Sequence, residues 1–162
     1  MFENLSDQVR RRFRKAEECA GTPRIAPAEP GNTGHDVGHR KNELIAIVDD
    51  DEYALSGLED LIESAGYKAA TFVSAEDYFA ADLVECPVCL ILDVHLPGMS
   101  GPDLQADLVA AARCPPTVFV TGRLEEHVRK RVTEAGALGY LLKPCNAEAL
   151  LHCIGRVVRA AA

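Results

Sequence analysis

The chain has 162 residues, 48% of them hydrophobic and 26% charged, with no Trp and a net charge of −8 at pH 7. That size and balance suit one α/β domain with additional segments. No apolar run approaches the roughly 18 residues of a membrane span, and the opening MFENLSDQVRRRFRK lacks the apolar stretch of a signal peptide, so a cytoplasmic protein without membrane insertion is expected.

Residues 1–18 place Phe2, Leu5, Val9 and Phe13 at helical spacings, with Arg10, Arg11, Arg12, Arg14 and Lys15 between them. The spacing predicts a short amphipathic helix, which needs a partner surface because such a helix alone is marginal in water. Residues 19–42 read as a flexible linker, since three prolines, four glycines and no apolar period between 20 and 41 preclude a core. His35 and His39 have no Cys or periodic scaffold nearby and read as exposed linker histidines. Residues 1–42 carry 8 Lys and Arg against 6 Asp and Glu, whereas residues 43–162 carry 9 against 19. So acidic a body argues against direct contact with nucleic acid.

From residue 43 onward short apolar runs at 44–48, 68–73, 88–92, 117–120 and 138–142 alternate with helix-like stretches at 52–65, 75–83, 102–112, 125–135 and 147–159. In the first of these stretches Ala54, Leu58, Leu61, Ile62 and Ala65 form one apolar face. Gly66 and Gly136 stand where helices stop, Ser74 is placed to cap the second helix, and Asp51 the first. Strand and helix alternating through short loops predict a parallel sheet covered on both faces. The six cysteines (19, 86, 89, 114, 145, 153) read as reduced thiols, and Cys86–Cys89 is a single CxxC with no second pair for zinc.

In a parallel sheet all strand C-termini meet at one edge, where ligands bind. That edge receives Asp49, Asp50 and Asp51 after the first strand, Asp93 after the third, Thr121 after the fourth and Lys143 after the fifth. Clustered carboxylates repel one another, and a hard divalent cation such as Mg²⁺ relieves the repulsion. With the cation in place a phosphoryl group can be received: Lys143 and Thr121 suit its oxygens, and Asp93 is left as the nucleophile that forms an acyl phosphate.

The segments IAIVDDDE, CLILDVHLPGMSG, VFVTG and GYLLKP, in this order and spacing over about residues 43–160, resemble a chemotaxis-regulator-like receiver domain of two-component response regulators. TFVSAEDYF and VTG further resemble receivers that precede helix-turn-helix output domains. The resemblance implies a flavodoxin-like, doubly wound sheet of five parallel strands in the order 2-1-3-4-5 with five flanking helices, over 43–162. It implies Asp93 as phosphoacceptor, Asp49, Asp50, Asp93 and the backbone carbonyl of His95 as Mg²⁺ ligands (Mn²⁺ as a substitute), and Thr121 and Lys143 as the catalytic hydroxyl and amine. It also implies Thr121 and Tyr140 as switch residues and a cis peptide bond between Lys143 and Pro144. Cys145, after Pro144, departs from the Phe common in the family, and His95 and Arg123 occupy two sites that tune phosphoaspartate lifetime there.

The expected partners are a histidine kinase or histidine phosphotransfer protein and, through the helix 4–strand 5–helix 5 face, a downstream protein or a second copy. Self-phosphorylation and autodephosphorylation are the only chemistry expected. A chain ending at Ala162 leaves no room for an output domain, so a stand-alone or shortened receiver is expected. A degenerate receiver acting as a binding module is the alternative. A haloacid-dehalogenase-like phosphohydrolase is a further one, although His95 stands where that class has its second Asp.

Overall fold

The computed structural model describes residues 42–81 and 83–160. The helix expected over 1–18, and the linker over 19–42 up to its last residue, lie outside the described residues. Five strands and five helices alternate: β1 (Leu44–Val48), α1 (Glu52–Ser64), β2 (Lys68–Phe72), α2 (Ala75–Ala80), β3 (Cys89–Asp93), α3 (Gly101–Ala110), β4 (Thr117–Thr121), α4 (Glu126–Glu134), β5 (Gly139–Leu142) and α5 (Ala147–Ala160). The strands form one parallel sheet in the order β2-β1-β3-β4-β5, with Val48 beside Leu92, Asp93 beside Val120 and Thr121 beside Leu142. This is the doubly wound, flavodoxin-like arrangement, with its topological switch between β1 and β3.

The central strands β3 and β4 are buried at every residue, while the edge strands β2 and β5 remain partly open. Alternation along the strands sends Ile45, Ile47, Ile91, Val118 and Val120 to one face, under Leu55, Leu58 and Ile62 of α1 and Leu150, Ile154 and Val157 of α5. Ala46, Val48, Leu90, Leu92 and Phe119 go to the other, under Tyr78 of α2, Leu104 and Leu108 of α3 and Val132 of α4. Each large aliphatic side chain so buried contributes about 1.5–3 kcal/mol. That apolar layer on both faces is what fixes the polar strand ends in place.

Local chemistry sets the boundaries. The Asp51 carboxylate caps α1 by accepting from the N–H groups of Tyr53 (2.9 Å) and Ala54 (3.3 Å), and the Ser74 hydroxyl caps α2 through Asp77 N–H at 3.0 Å. Gly66 and Gly136 end α1 and α4 with φ of +91° and +97°, a backbone that a side chain would strain. The third helix begins at Gly101 and ends at Ala110, ahead of the expected 112, because Ala112 takes a left-handed φ of +54°. The second stops at Ala80 rather than 83, since Ala81 is already extended. Asp93 and Thr121 are the last residues of their strands, one position earlier than expected, so the sheet ladder itself holds their backbones.

The expectation of six reduced thiols needs correction at Cys86, which is disulfide-bonded and sits exposed in the loop before β3 rather than in the core. Cys89, Cys114, Cys145 and Cys153 are free, and burial pushes the Cys89 thiol up to about 12. Among the described residues no helix is long and apolar enough to cross a membrane.

Candidate functional site

The sheet edge gathers Asp49, Asp50, Asp93, Thr121 and Lys143 as expected. Hydrogen bonds from Asp49 N–H to the Phe72 carbonyl (3.1 Å) and from Lys143 N–H to the Thr121 carbonyl (2.8 Å) extend the ladders past the strand ends. Both residues are thereby fixed before their side chains act. The Lys143 ammonium then bridges two carboxylates, 2.5 Å from Asp49 Oδ2 and 2.6 Å from Asp93 Oδ2. Asp49 is 1% exposed and Asp93 6%, whereas Asp50 is open to solvent. The remaining oxygens are also held: Asp49 Oδ1 accepts from Asp51 N–H and Asp93 Oδ1 from His95 N–H, each at 3.0 Å.

These groups are electrostatically unbalanced. Burial raises the Asp49 carboxyl above its ordinary range, and the hydrogen bonds from Lys143 and Asp51 reverse this only in part. For Lys143, burial favours the neutral amine, yet its bonds to Asp49 and Asp93 outweigh that and hold the ammonium above its ordinary range. One monovalent cation thus serves several carboxylates. One oxygen from each of Asp49, Asp50 and Asp93 can be chosen so that all lie within 4.8 Å of one another. A hard, all-oxygen donor set with excess negative charge fits Mg²⁺, which takes few protein ligands and keeps waters and phosphate oxygens.

Thr121 is fully buried, and its hydroxyl accepts from Arg123 N–H at 3.3 Å. The Tyr140 hydroxyl donates to the Arg123 carbonyl at 3.4 Å, so this ring spans the β4–α4 loop beside Thr121. Burial raises its phenol pKa, and a hydrogen bond with the Glu125 backbone opposes the rise in part. The Lys143–Pro144 peptide bond is cis. Asp51 acts as the cap of α1.

Several residues near the site escaped sequence reasoning. Gly101 brings α3 against Asp93 so closely that a Cβ there would lie 2.0 Å from the Asp93 carbonyl oxygen. Glu76, on α2, accepts from Met99 N–H at 3.0 Å and so steadies the loop after β3. Gln105 is buried and donates from Nε2 to the Val132 carbonyl at 3.3 Å, joining α3 to α4. Glu125 places Oε1 3.1 Å from His95 Nε2. Only Glu125 left a signal in the sequence: it stands at a helix start where Ser, Thr, Asp or Asn is the usual cap.

A family model for the response regulator receiver domain matches residues 45–155. The response regulator protein TmoT of Ectopseudomonas mendocina is 34% identical over 133 residues, covering 82% of this chain and 60% of TmoT. Nodulation protein W of Bradyrhizobium diazoefficiens is 32% identical over 124 residues, covering 76% of this chain and 54% of that protein. The solved structure of the response regulator StyR is similar with a TM-score of 0.66 and 35% identity, over 74% of this chain and 60% of StyR. The chain thus spans between half and about three fifths of the length of these relatives. Receiver domains of this kind are signalling modules rather than enzymes acting on an external substrate. The chain belongs to the response regulator receiver domain family.

Proposed function

We propose that residues 43–162 form a phospho-acceptor module of a two-component system or phosphorelay, with Asp93 as the residue modified. The observation that carries this reading is the bridge from one ammonium, Lys143, to the two buried carboxylates Asp49 and Asp93 beside a buried Thr121 hydroxyl. An Asp93 oxygen attacks the phosphorus of a phosphohistidine on a histidine kinase or histidine phosphotransfer protein. The new bond is P–O, the P–N bond breaks, and its electron pair leaves with the imidazole, giving an acyl phosphate. Asp49, Asp50, Asp93 and the backbone carbonyl of His95 are the proposed holders of Mg²⁺ or Mn²⁺. When bound, such a cation neutralises charge on the phosphoryl oxygens.

Lys143 and Thr121 are assigned to the remaining phosphoryl oxygens, one by charge and one by its hydroxyl. Movement of Thr121 toward the phosphoryl group would free the space that Tyr140 turns into. The α4–β5–α5 face would then change and alter contact with a downstream protein or a second copy. Slow hydrolysis of the acyl phosphate by the same site completes the cycle, in the cytoplasm and without direct contact to nucleic acid.

The test is incubation with acetyl phosphate, with and without Mg²⁺, followed by intact mass. The expected result is a Mg²⁺-dependent gain of one phosphoryl group that is absent in Asp93→Asn. No gain with any phosphodonor would favour the degenerate receiver.

A further inference from the structure

The helix α4 is loosely seated. Val132 is its one buried residue, and its second half is tied to α3 by the Gln105 amide on the Val132 carbonyl (3.3 Å) and by Arg131 on Asp103 (2.8 Å). Its first turn has a different anchor. Glu125 occupies the N-cap position, yet its carboxylate makes no capping hydrogen bond to the helix N–H groups. Instead Oε1 lies 3.1 Å from His95 Nε2, on the loop that leaves β3, and Oε2 lies 3.8 Å from His127 Nε2, on α4 itself. The Glu125 carbonyl accepts from Arg129 N–H at 2.9 Å, so this residue and the first turn move together. The other end of the link is His95, whose N–H donates to Asp93 Oδ1 at 3.0 Å.

A short chain of contacts therefore runs from Asp93 through the backbone and imidazole of His95 to the carboxylate that begins α4. An imidazole with hydrogen on Nε2 donates to a carboxylate whether neutral or charged, so this link does not require one ionisation state. We infer that Glu125 is a positioning residue that ties the Asp93 loop to the first turn of α4 through His95, so that the response of α4 to modification of Asp93 passes through this contact. The inference rests on the proposed phospho-acceptor role of Asp93. Converting either Asp93 oxygen to an acyl phosphate changes what the His95 N–H and Lys143 can bond to, and the loop must adjust. Because His95 is held by Glu125, that adjustment reaches the first turn of α4.

His127 provides an internal control, because its contact with Glu125 stays within the start of α4 and crosses to no other element. The experiment compares wild type, Glu125→Ala, Glu125→Gln and His127→Ala by amide NMR, before and after addition of Mg²⁺ with beryllofluoride as a phosphoryl mimic. In parallel, phosphoryl uptake from acetyl phosphate is timed by intact mass. Wild type and His127→Ala are expected to show matching shifts of the 126–129 amides on adding the mimic. In Glu125→Ala those shifts should fall by at least half while the Val94 and Thr121 amides still respond. Phosphoryl uptake should slow by about tenfold, as for the loss of an outer-shell partner. Glu125→Gln, which keeps a hydrogen-bond acceptor, should recover most of both effects.

Equal α4 shifts in wild type and Glu125→Ala would overturn the inference, as would a lowered Tm with unchanged shifts and uptake. If Glu125→Ala fails to fold, the comparison passes to Glu125→Leu against Glu125→Gln with the same readouts. Absence of phosphoryl uptake in wild type would instead overturn the phospho-acceptor reading itself.

Discussion

The Lys143 ammonium pairs with two of the three carboxylates, Asp49 and Asp93, that could hold a divalent cation. Removing one partner of a fully buried ion pair costs about 3–5 kcal/mol. The Lys143 side chain is a quarter exposed, so for Lys143→Met in metal-free protein a smaller loss of about 1–3 kcal/mol is expected. Mg²⁺ should raise the Tm of this variant more than that of wild type, because ammonium and cation both offset the charge of the Asp49 and Asp93 carboxylates; paired thermal melts check this. At Gly101 the constraint is steric: a Cβ 2.0 Å from the Asp93 carbonyl oxygen cannot be accommodated without moving the backbone. Gly101→Ala should cost about 1–3 kcal/mol in urea unfolding, and acetyl phosphate labelling of Asp93 should slow alongside. The residues of the site were legible because each ends an apolar run, which makes Asp49, Asp93, Thr121 and Lys143 conspicuous. Gly101 was visible only as part of a turn; its closeness to Asp93 depends on how α3 packs, which no local pattern records.

At the scale of elements, α3 and α4 are joined by polar contacts, Gln105 to the Val132 carbonyl and Arg131 to Asp103. Gln105→Ala removes one of two donors to the Val132 carbonyl, the other being Ala137 N–H at 2.9 Å. The loss should be about 1 kcal/mol, with hydrogen exchange accelerating in α4 more than in α1 or α5. The neighbouring tie is sensitive to acid. Hydrogen bonds from the Ser100 hydroxyl and the Arg131 guanidinium hold the Asp103 carboxyl below its ordinary 3.8. A depressed carboxyl stabilises the fold above its unfolded pKa and loses that contribution as pH falls through the folded value. A carboxyl NMR titration should therefore place the Asp103 midpoint below 3.8, and Arg131→Ala should move it upward. Helix positions were legible from apolar period and caps: Asp51, Ser74, Gly66 and Gly136 all act as their types suggest. The ends of α2 and α3 were not, because Ala81 and Ala112 leave helical geometry without any Gly or Pro to announce it.

Over the whole molecule charge is segregated. Residues 43–122 contain 15 Asp and Glu against 2 Lys and Arg, while residues 123–160 contain 7 Lys and Arg against 4 Asp and Glu. Residues 123–160, which include α4, β5 and α5, are thus the basic part of an acidic domain, and association through the proposed α4–β5–α5 face should weaken as salt rises from about 0.05 to about 0.5 M, where the Debye length falls to a few ångströms. Titration of binding against ionic strength checks this. The overall architecture was legible because five apolar runs separated by amphipathic stretches admit few arrangements other than a doubly wound sheet. Side-chain pairings between elements were not, since Arg131–Asp103 and Glu125–His95 join helices and loops with no shared period. The bond from Lys143 to Asp93 spans 50 residues and reaches from the last strand to the central one. Long-range contacts of this kind carry a loop-closure cost that must be met before they stabilise the fold. On the proposed phospho-acceptor reading, a chain whose last βα unit is undocked would hold Asp93 without its ammonium partner, so modification of Asp93 would also require that this end of the sheet is in place.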